Sequence, residues 1–398
     1  MNKKIFNFIF VFLILIIIFF IGFKLYNYLK IKYAHVEITL KDDLTVGFLE
    51  EKKVSDFIES INGTIIDDYI IDSKEIGKKD ITFEFINDQN IKLNYTYSIN
   101  VVDQIEPLIW LNDRYNLPVN SDVDLTKTIL CGDNYDSKPN CYIEGNYDLN
   151  TPGEYNLVFK AIDSSGNKEE KQFILNIYEP ALNNSEKREE NYVEFSEIKD
   201  KYKNENTKIG LDISSFQGDI DFSKLKDSGV EFVIIRIGYG YDNKNYLDKN
   251  FKHNIEEANK NNIDVGIYFY SYANSLQEAK TQAKWVLKQI KNYKVNLPIA
   301  FDWEEWKNFN EYNLSFFGLT NMAEQFLKVV EKSGYEGMLY SSKNYLENIW
   351  LPTKYKIWLA QYSNQVTYSG DYYMWQVCDN GKVDGIDKTV DIDVMYIK

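Results

Sequence analysis

The sequence predicts a barrel-like α/β domain at the C-terminal end, behind β-rich modules and one long apolar helix. Three observations carry this. After Lys208, apolar runs of strand length alternate with amphipathic runs of helix length, the pattern of βα units around a parallel sheet. From Val36 to Tyr178, β-branched and aromatic runs with partial alternation are separated by turn residues, as short strands are. Residues 5–23 are almost wholly apolar (IFNFIFVFLILIIIFFIGF). At 398 residues the chain has room for two or three domains.

The apolar run of 19 residues would span about 28 Å as a helix, close to the hydrocarbon thickness of a bilayer. Lys3 and Lys4 precede it, and Lys24, Leu25, Tyr26 and Asn27 follow without a small-residue cleavage site. Residues 1–35 therefore read as a cytoplasmic tip and an uncleaved signal anchor, in preference to a cleaved signal peptide. Lys24, Lys30 and Lys32 on the far flank blunt the charge asymmetry that would fix orientation.

Residues 36–102 (VEITL, GTIIDDYIID, DITFEFI, IKLNYTYSINVV) form a β-rich module. Residues 103–178 form a second, with turns at Pro152-Gly153 (TPGEY) and Gly166 (DSSGN) between strand-like runs. This second module resembles the Ig-like modules of bacterial surface proteins at Gly145, Tyr147, Asp148, Pro152, Gly153 and Tyr155, then Asp163, Gly166 and Asn167. The resemblance implies a β-sandwich spacer, of which 36–102 is a candidate diverged copy. Cys131 and Cys141 flank GDNYDSKPN. A disulfide there would contribute roughly 2–3 kcal/mol in the chain-entropy model, and two unpaired thiols are the alternative. Cys378 reads as a small buried hydrophobe. Residues 179–207 are polar and charge-dense, so they read as a linker, with helix in part of it as an option.

From 208 to 398, five strand–helix units are followed by three strands without long helices between them, a (β/α)5β3 count. In such barrels chemistry sits at the C-terminal strand ends. Asp212 ends the first strand, Asp302 and Glu304 end the fourth (LPIAFDWE), and Asp391 lies in the last segment (VDIDVMY).

Composition narrows the chemistry. Net charge is −15, which argues against nucleic acid as a partner. Only two His (His35 and His253) and three Cys occur. Sites that need a well-placed His base, or zinc held by His and Cys, are hard to build from these. No metal or organic cofactor is implied, and catalysis would run on carboxylates. Residues i and i+2 of a strand share a side, which sets the Cα atoms of Asp302 and Glu304 about 6–7 Å apart. Neighbouring carboxyls push each other's pKa values apart, so one stays protonated while the other is charged. Acid-assisted cleavage of a glycosidic bond needs such a pair. Most D-x-E triplets are merely solvated surface; the place at the end of a buried-looking strand separates this one from them.

GLDISSFQGDIDFSKLKDSGVEFVIIRIGYG resembles the opening of glycoside hydrolase family 25 lysozymes, and GIYFYSYANSLQEAKTQA, LPIAFDWE, GMLYSS, IWLAQY, MWQV and VDIDVMY follow in family order. The resemblance implies a flattened, TIM-like eight-stranded barrel that cleaves the β-1,4 bond between N-acetylmuramic acid and N-acetylglucosamine. It implies Glu304 as general acid and Asp302 as the residue that orients the substrate N-acetyl group for attack on the anomeric carbon. Asp212 and Asp391 would complete the catalytic group, lining the cleft, holding hydrogen bonds and tuning the pKa of Glu304, with Tyr270, Tyr340, Tyr362 and Trp375 as sugar-binding aromatics; core or rim packing is the alternative for each aromatic. Gln217 reads as structural. Asp393 stands where the family often has Asn, and no role follows for it. The expected partners are peptidoglycan glycan strands and, through residues 5–23, the membrane, with the catalytic domain outside the cell. A wall-binding module without turnover, or a structural surface protein, would share much of this sequence pattern but would leave the acidic constellation unexplained.

Overall fold

The N-terminal apolar run folds as α1 (Lys3–Lys32) in the computed structural model, which describes residues 3–180, 191–241 and 244–397. Residues 10–32 have a mean hydropathy of 2.4 and none of that stretch is buried. The helix is long and apolar enough to cross a bilayer.

The chain divides into two compact units, 1–104 and 105–398. After α1 the first unit holds β1 (Ile38–Leu40), β2 (Thr45–Gly47), β3 (Ile58–Ile61), β4 (Gly63–Ile65), β5 (Gly77–Asn87) and β6 (Lys92–Val102). Strands β5 and β6 are antiparallel neighbours in a β2-β6-β5-β4 sheet, with β2 parallel to β6, and β1 pairs β3 in a separate ribbon. Alternation aims Ile81, Phe83 and Phe85 together with Leu93, Tyr97, Ile99 and Val101 into one core.

The second unit opens with a module of the same plan. Its elements are β7 (Leu108–Trp110), β8 (Arg114–Pro118), α2 (Leu125–Thr128), β9 (Leu130–Gly132), β10 (Asn140–Glu144), β11 (Gly153–Ile162) and β12 (Lys168–Tyr178). The sheet runs β10-β11-β12-β8 with β8 parallel to β12, and β7 pairs β9. Its topology repeats that of the first module strand for strand. Cys131 and Cys141 form a disulfide that ties β9 to β10 across a Cα–Cα distance of 6.4 Å.

Residues 181–190 of the expected linker lie outside the described residues. Part of the rest is helical and packed, more than a linker needs. Residues 193–202 form β13 (Val193–Glu194) and α3 (Phe195–Tyr202), and Phe195 and Ile198 are buried in the core of the C-terminal domain. Two apolar residues spaced i, i+3 suffice to dock a helix whose remaining positions are polar.

The C-terminal domain continues with β14 (Thr207–Ile213), α4 (Phe222–Ser228), β15 (Phe232–Tyr241), β16 (Lys244–Leu247), α5 (Phe251–Lys260), β17 (Asp264–Ser271), α6 (Leu276–Ile290), β18 (Ile299–Asp302), α7 (Phe309–Tyr312), α8 (Phe316–Lys332), β19 (Gly337–Ser342), α9 (Lys343–Asn348), β20 (Lys356–Ala360), β21 (Met374–Val383) and β22 (Ile386–Tyr396). Polar caps start α4, α6 and α8: Asp221 accepts from the Lys224 N–H, Ser275 from Glu278 and Ser315 from Gly318. Strands β14, β15, β17, β18, β19, β20 and β21 are parallel in succession, and β22 closes the eight-stranded ring antiparallel to both β21 and β14. This differs from the TIM-like barrel expected. With no helix between β21 and β22 the chain must turn back as a hairpin, which makes the last strand antiparallel.

Period-two alternation sorts the barrel strands into two layers, interrupted by bulges in β15 and β21. Outward residues such as Leu211, Ile235, Phe301, Leu339 and Ile392 meet the helices, while Ile234, Ala300, Met338, Trp358, Met374 and Met395 fill the interior. The inward rows end, at the C-terminal rim of the parallel strands, on polar and acidic residues.

Candidate active site

Three strands bring the acids together. On β18 the alternation Ala300 inward, Phe301 outward, Asp302 inward, Trp303 outward continues past the strand end, so Glu304 emerges on the same side as Asp302. Trp303 anchors this corner. Its indole is fully buried and its Nε1 donates to the Ala273 carbonyl at 3.2 Å. Asp212 closes the inward row of β14 and lies opposite Asp391 of β22. Because β22 runs antiparallel, Asp393 falls one layer deeper, opposite Gly210.

Burial dominates the electrostatics. Asp302 is almost fully buried and its carboxyl is pushed well above the ordinary range, first by desolvation and then by the Glu304 charge, with Arg236 opposing. Glu304 opens onto the solvent of the cleft, yet the surrounding walls desolvate it and raise its pKa. The Tyr340 hydroxyl opposes this, and the charges of Asp391 and Glu305 add to it. Asp212 is raised by burial and by the charges of Asp391 and Asp393. The hydrogen bond between the two raises Asp212 and lowers Asp391. Asp391 is pushed up to about 6 by burial, with the Asp212 hydrogen bond opposing and the Asp379 charge adding. Asp393 is fully buried and raised mainly by that burial; Trp358 Nε1 donates to it at 2.8 Å. It acts as an internal acid beneath the pair and does not reach the cleft.

Arg236 is the cation that offsets Asp302. It is held by Asp248, whose side chain is 1% exposed, through Nε at 2.9 Å and a second nitrogen at 2.7 Å, and it lies 4.7 Å from the centre of the Phe216 ring.

A cavity of about 390 Å³ adjoins Glu304, walled by Trp306, Tyr345, Tyr340, Tyr362 and the start of α9. Three of the four expected aromatics border the acids. Tyr340 and Tyr362 line this cavity, and the Tyr270 hydroxyl is 3.4 Å from Glu305. Trp375 is turned away. It shares the outward side of β21, packs edge-on against Tyr202 at 5.1 Å, and its Nε1 donates to the Gln361 carbonyl. Its neighbour Gln376 takes the inward place. Gln376 Oε1 accepts from both Tyr340 (2.9 Å) and Tyr362 (3.0 Å), and its Nε2 donates to Asp212 at 2.5 Å. These partners fix the amide orientation, with two hydroxyl donors facing its oxygen and a carboxyl oxygen of Asp212 facing its NH2. Tyr340 then serves either state of Glu304. It can accept from the protonated acid while donating to Gln376, or turn its one proton to the carboxylate.

The sequence reading missed Gln376, Arg236, Trp306 and Tyr345. Gln376 was within reach: it shares the inward side with Met374, one residue from the tryptophan chosen. Gln217 takes the structural role expected of it, with Oε1 accepting from the Ser214 N–H at 2.8 Å in the turn after β14.

Residues 211–386 match the sequence model of glycosyl hydrolases family 25. Among curated proteins, the chain is 27% identical over 187 residues to an autolytic lysozyme of Clostridium acetobutylicum, covering 46% of this chain and 54% of that protein. It is 29% identical over 195 residues to an uncharacterized Escherichia coli protein, YegX, covering 46% and 68%. Among solved structures, the modular autolysin LytC of Streptococcus pneumoniae in complex with a synthetic peptidoglycan ligand aligns at 25% identity and a TM-score of 0.44, over 60% of this chain and 56% of that one. A family 25 glycosyl hydrolase of Bacillus anthracis aligns at 23% identity and a TM-score of 0.44, over 54% and 96%. The chain thus spans about half the length of the lysozyme and of the pneumococcal autolysin.

Proposed function

We propose that the C-terminal domain is a muramidase, hydrolysing the β-1,4 bond between N-acetylmuramic acid and N-acetylglucosamine in peptidoglycan. The observation that carries this is Glu304: open to the cleft, desolvated by its walls, with a raised pKa and a second buried carboxyl two residues before it. A carboxyl whose pKa is raised at the edge of a cavity is the acid a glycosidic leaving group needs. The family match over 211–386 and the resemblance to a lysozyme support the substrate class.

In this reading Glu304 donates its proton to the glycosidic oxygen as the bond to the anomeric carbon breaks. The carbonyl oxygen of the substrate's own N-acetyl group attacks that carbon from the other side, and Asp302 orients the group and stabilises the charge it acquires. Water, deprotonated by Glu304, then opens the cyclic intermediate. Substrate assistance of this kind needs one protein acid rather than an acid and a carboxylate nucleophile. The Asp212–Asp391 pair and Gln376 hold the Tyr340 and Tyr362 hydroxyls at the cavity wall. The same reading takes α1 as a membrane anchor, the two β-modules as Ig-like spacers, and the catalytic domain as facing the cell wall.

The test compares the chain with its Glu304→Gln variant on purified cell walls, with new reducing ends identified by mass spectrometry. Reducing-end N-acetylmuramic acid from the wild type alone is the expected result. Glycan binding without release by either protein would make the domain a wall-binding module. Equal release from both would move the chemistry away from Glu304.

A further inference from the structure

The segment that follows Glu304 is not held by the barrel alone. It comprises a 3-10 turn (Trp306–Asn308), α7 and the Asn313 turn, and the second β-module packs directly against it. One side chain makes the joint. Asn310 Nδ2 donates to the carbonyls of Thr126 (3.0 Å) and Ile129 (2.9 Å), and its Oδ1 accepts from the Cys131 N–H (3.0 Å). A single amide therefore satisfies three backbone groups around the end of α2 and the start of β9. Beside it, the Phe316 N–H donates to the Asp133 carbonyl at 2.8 Å, and Lys127 pairs with Glu311 at 3.4 Å. The fit is close. A Cβ on Gly132 would lie 2.6 Å from the Phe316 ring and 2.7 Å from that of Phe309, so only glycine lets β9 approach. Leu130 of the module is buried within the core of the barrel domain.

An aromatic line continues from this joint to the cleft. The Trp110 ring on β7 lies 5.1 Å from Tyr345, and Tyr345 stacks on Trp306 at 3.9 Å. Trp306 and Tyr345 are walls of the cavity that Glu304 adjoins, and the Trp306 N–H donates to the Glu304 carbonyl at 2.8 Å. The module therefore reaches the acid's own backbone through two rings, and the segment after the acid through Asn310.

We propose that the second β-module is a working part of the catalytic unit, with Asn310 and Trp110 as positioning residues that fix the segment after Glu304 and the Trp306–Tyr345 wall against the glycan. This rests on the muramidase reading of the cleft. All eight strands of the barrel are tied to neighbours through backbone ladders, but the segment 305–315 has no strand to join. Its order has to come from side-chain packing, and the module supplies that packing on the face the barrel leaves uncovered. A wall placed in advance spares the substrate the ordering cost on binding.

The test uses the full chain and the variants Asn310→Ala, Trp110→Ala and Trp110→Phe. Hydrogen exchange across 305–317 reads the joint without reference to any activity. Asn310→Ala should speed exchange there while the strands of the barrel keep their protection. On soluble peptidoglycan fragments, Trp110→Ala should raise KM by about fivefold or more with kcat within about twofold, and Trp110→Phe, which keeps a ring against Tyr345, should restore most of the loss. Unchanged exchange in 305–317, or an unchanged KM in Trp110→Ala, would overturn the proposal. So would a loss in Trp110→Ala that tracks only a lower unfolding midpoint and is not restored by Phe. A wild type that cleaves no glycan while Asn310→Ala still frees 305–317 would sink the muramidase reading and leave the joint standing.

Discussion

Replacing Asp391 by Asn separates the stability of this barrel from its chemistry. Desolvation and the Asp379 charge move the Asp391 carboxyl from its ordinary 3.8 up to about 6, against the opposing hydrogen bond from Asp212. For a carboxyl whose folded pKa is raised, the native state holds a proton that the unfolded state has already released. Stability is then unaffected below about pH 4 and falls as pH rises toward 6, where the cost levels off. Two pKa units at 1.36 kcal/mol each put that cost at roughly 3 kcal/mol, an upper value because Asp391 shares its proton with Asp212. An amide of the same shape can still bond Asp212 but never has to ionise. Asp391→Asn should therefore be more stable than the wild type at pH 7.5, by up to about 3 kcal/mol, and no more stable at pH 4. Tryptophan emission during urea unfolding reports this directly, since all seven Trp lie between positions 110 and 375, in the second unit. The same variant should lose activity, because a charge that helps raise the pKa of Asp212 and Glu304 is gone. A variant that gains nothing at pH 7.5, or gains as much at pH 4, would refute the reasoning.

Further outcomes follow from the same geometry. Glu304→Gln should lower kcat by about 10²–10⁴-fold with an unchanged unfolding midpoint, and the wild-type rate should fall as pH rises through the elevated pKa of Glu304; both are read by reducing-end release. Gln376→Leu orphans two tyrosine hydroxyls and one carboxyl, so denaturant unfolding should show a loss of about 1–3 kcal/mol for each partner that stays buried and unpaired. Trp303→Ala empties a fully buried site beneath the acidic corner and should cost about 3–5 kcal/mol in the same assay, with activity lost as the corner shifts. Replacing Cys131 and Cys141 together by Ser opens the crosslink beside the Asn310 joint and should cost the second module roughly 2–3 kcal/mol, read by thermal unfolding with and without reductant.

The sequence by itself determined the order of elements, the barrel region, and the acids that end its strands. These are local matters: a period of two or 3.6 in apolar residues, a turn at Gly or Pro, and a carboxyl after an apolar run can all be read from neighbours along the chain. The long-range matters had to wait for the tertiary structure. Trp375 and Gln376 are adjacent, and only the pairing of β21 with β20 and β22 decides which of them faces the cleft. Asp393 and Asp391 look alike as a D-x-D pair, and only the reversed direction of β22 sets one beneath the other. The segment around Phe195 reads as a charged linker until the core that buries Phe195 and Ile198 is present. Asn310 is an unremarkable polar residue until the carbonyls it satisfies, about 180 positions earlier in the chain, come within 3.0 Å. In each case the deciding interaction joins residues whose separation in sequence carries no periodic signal, so packing alone could choose between the alternatives.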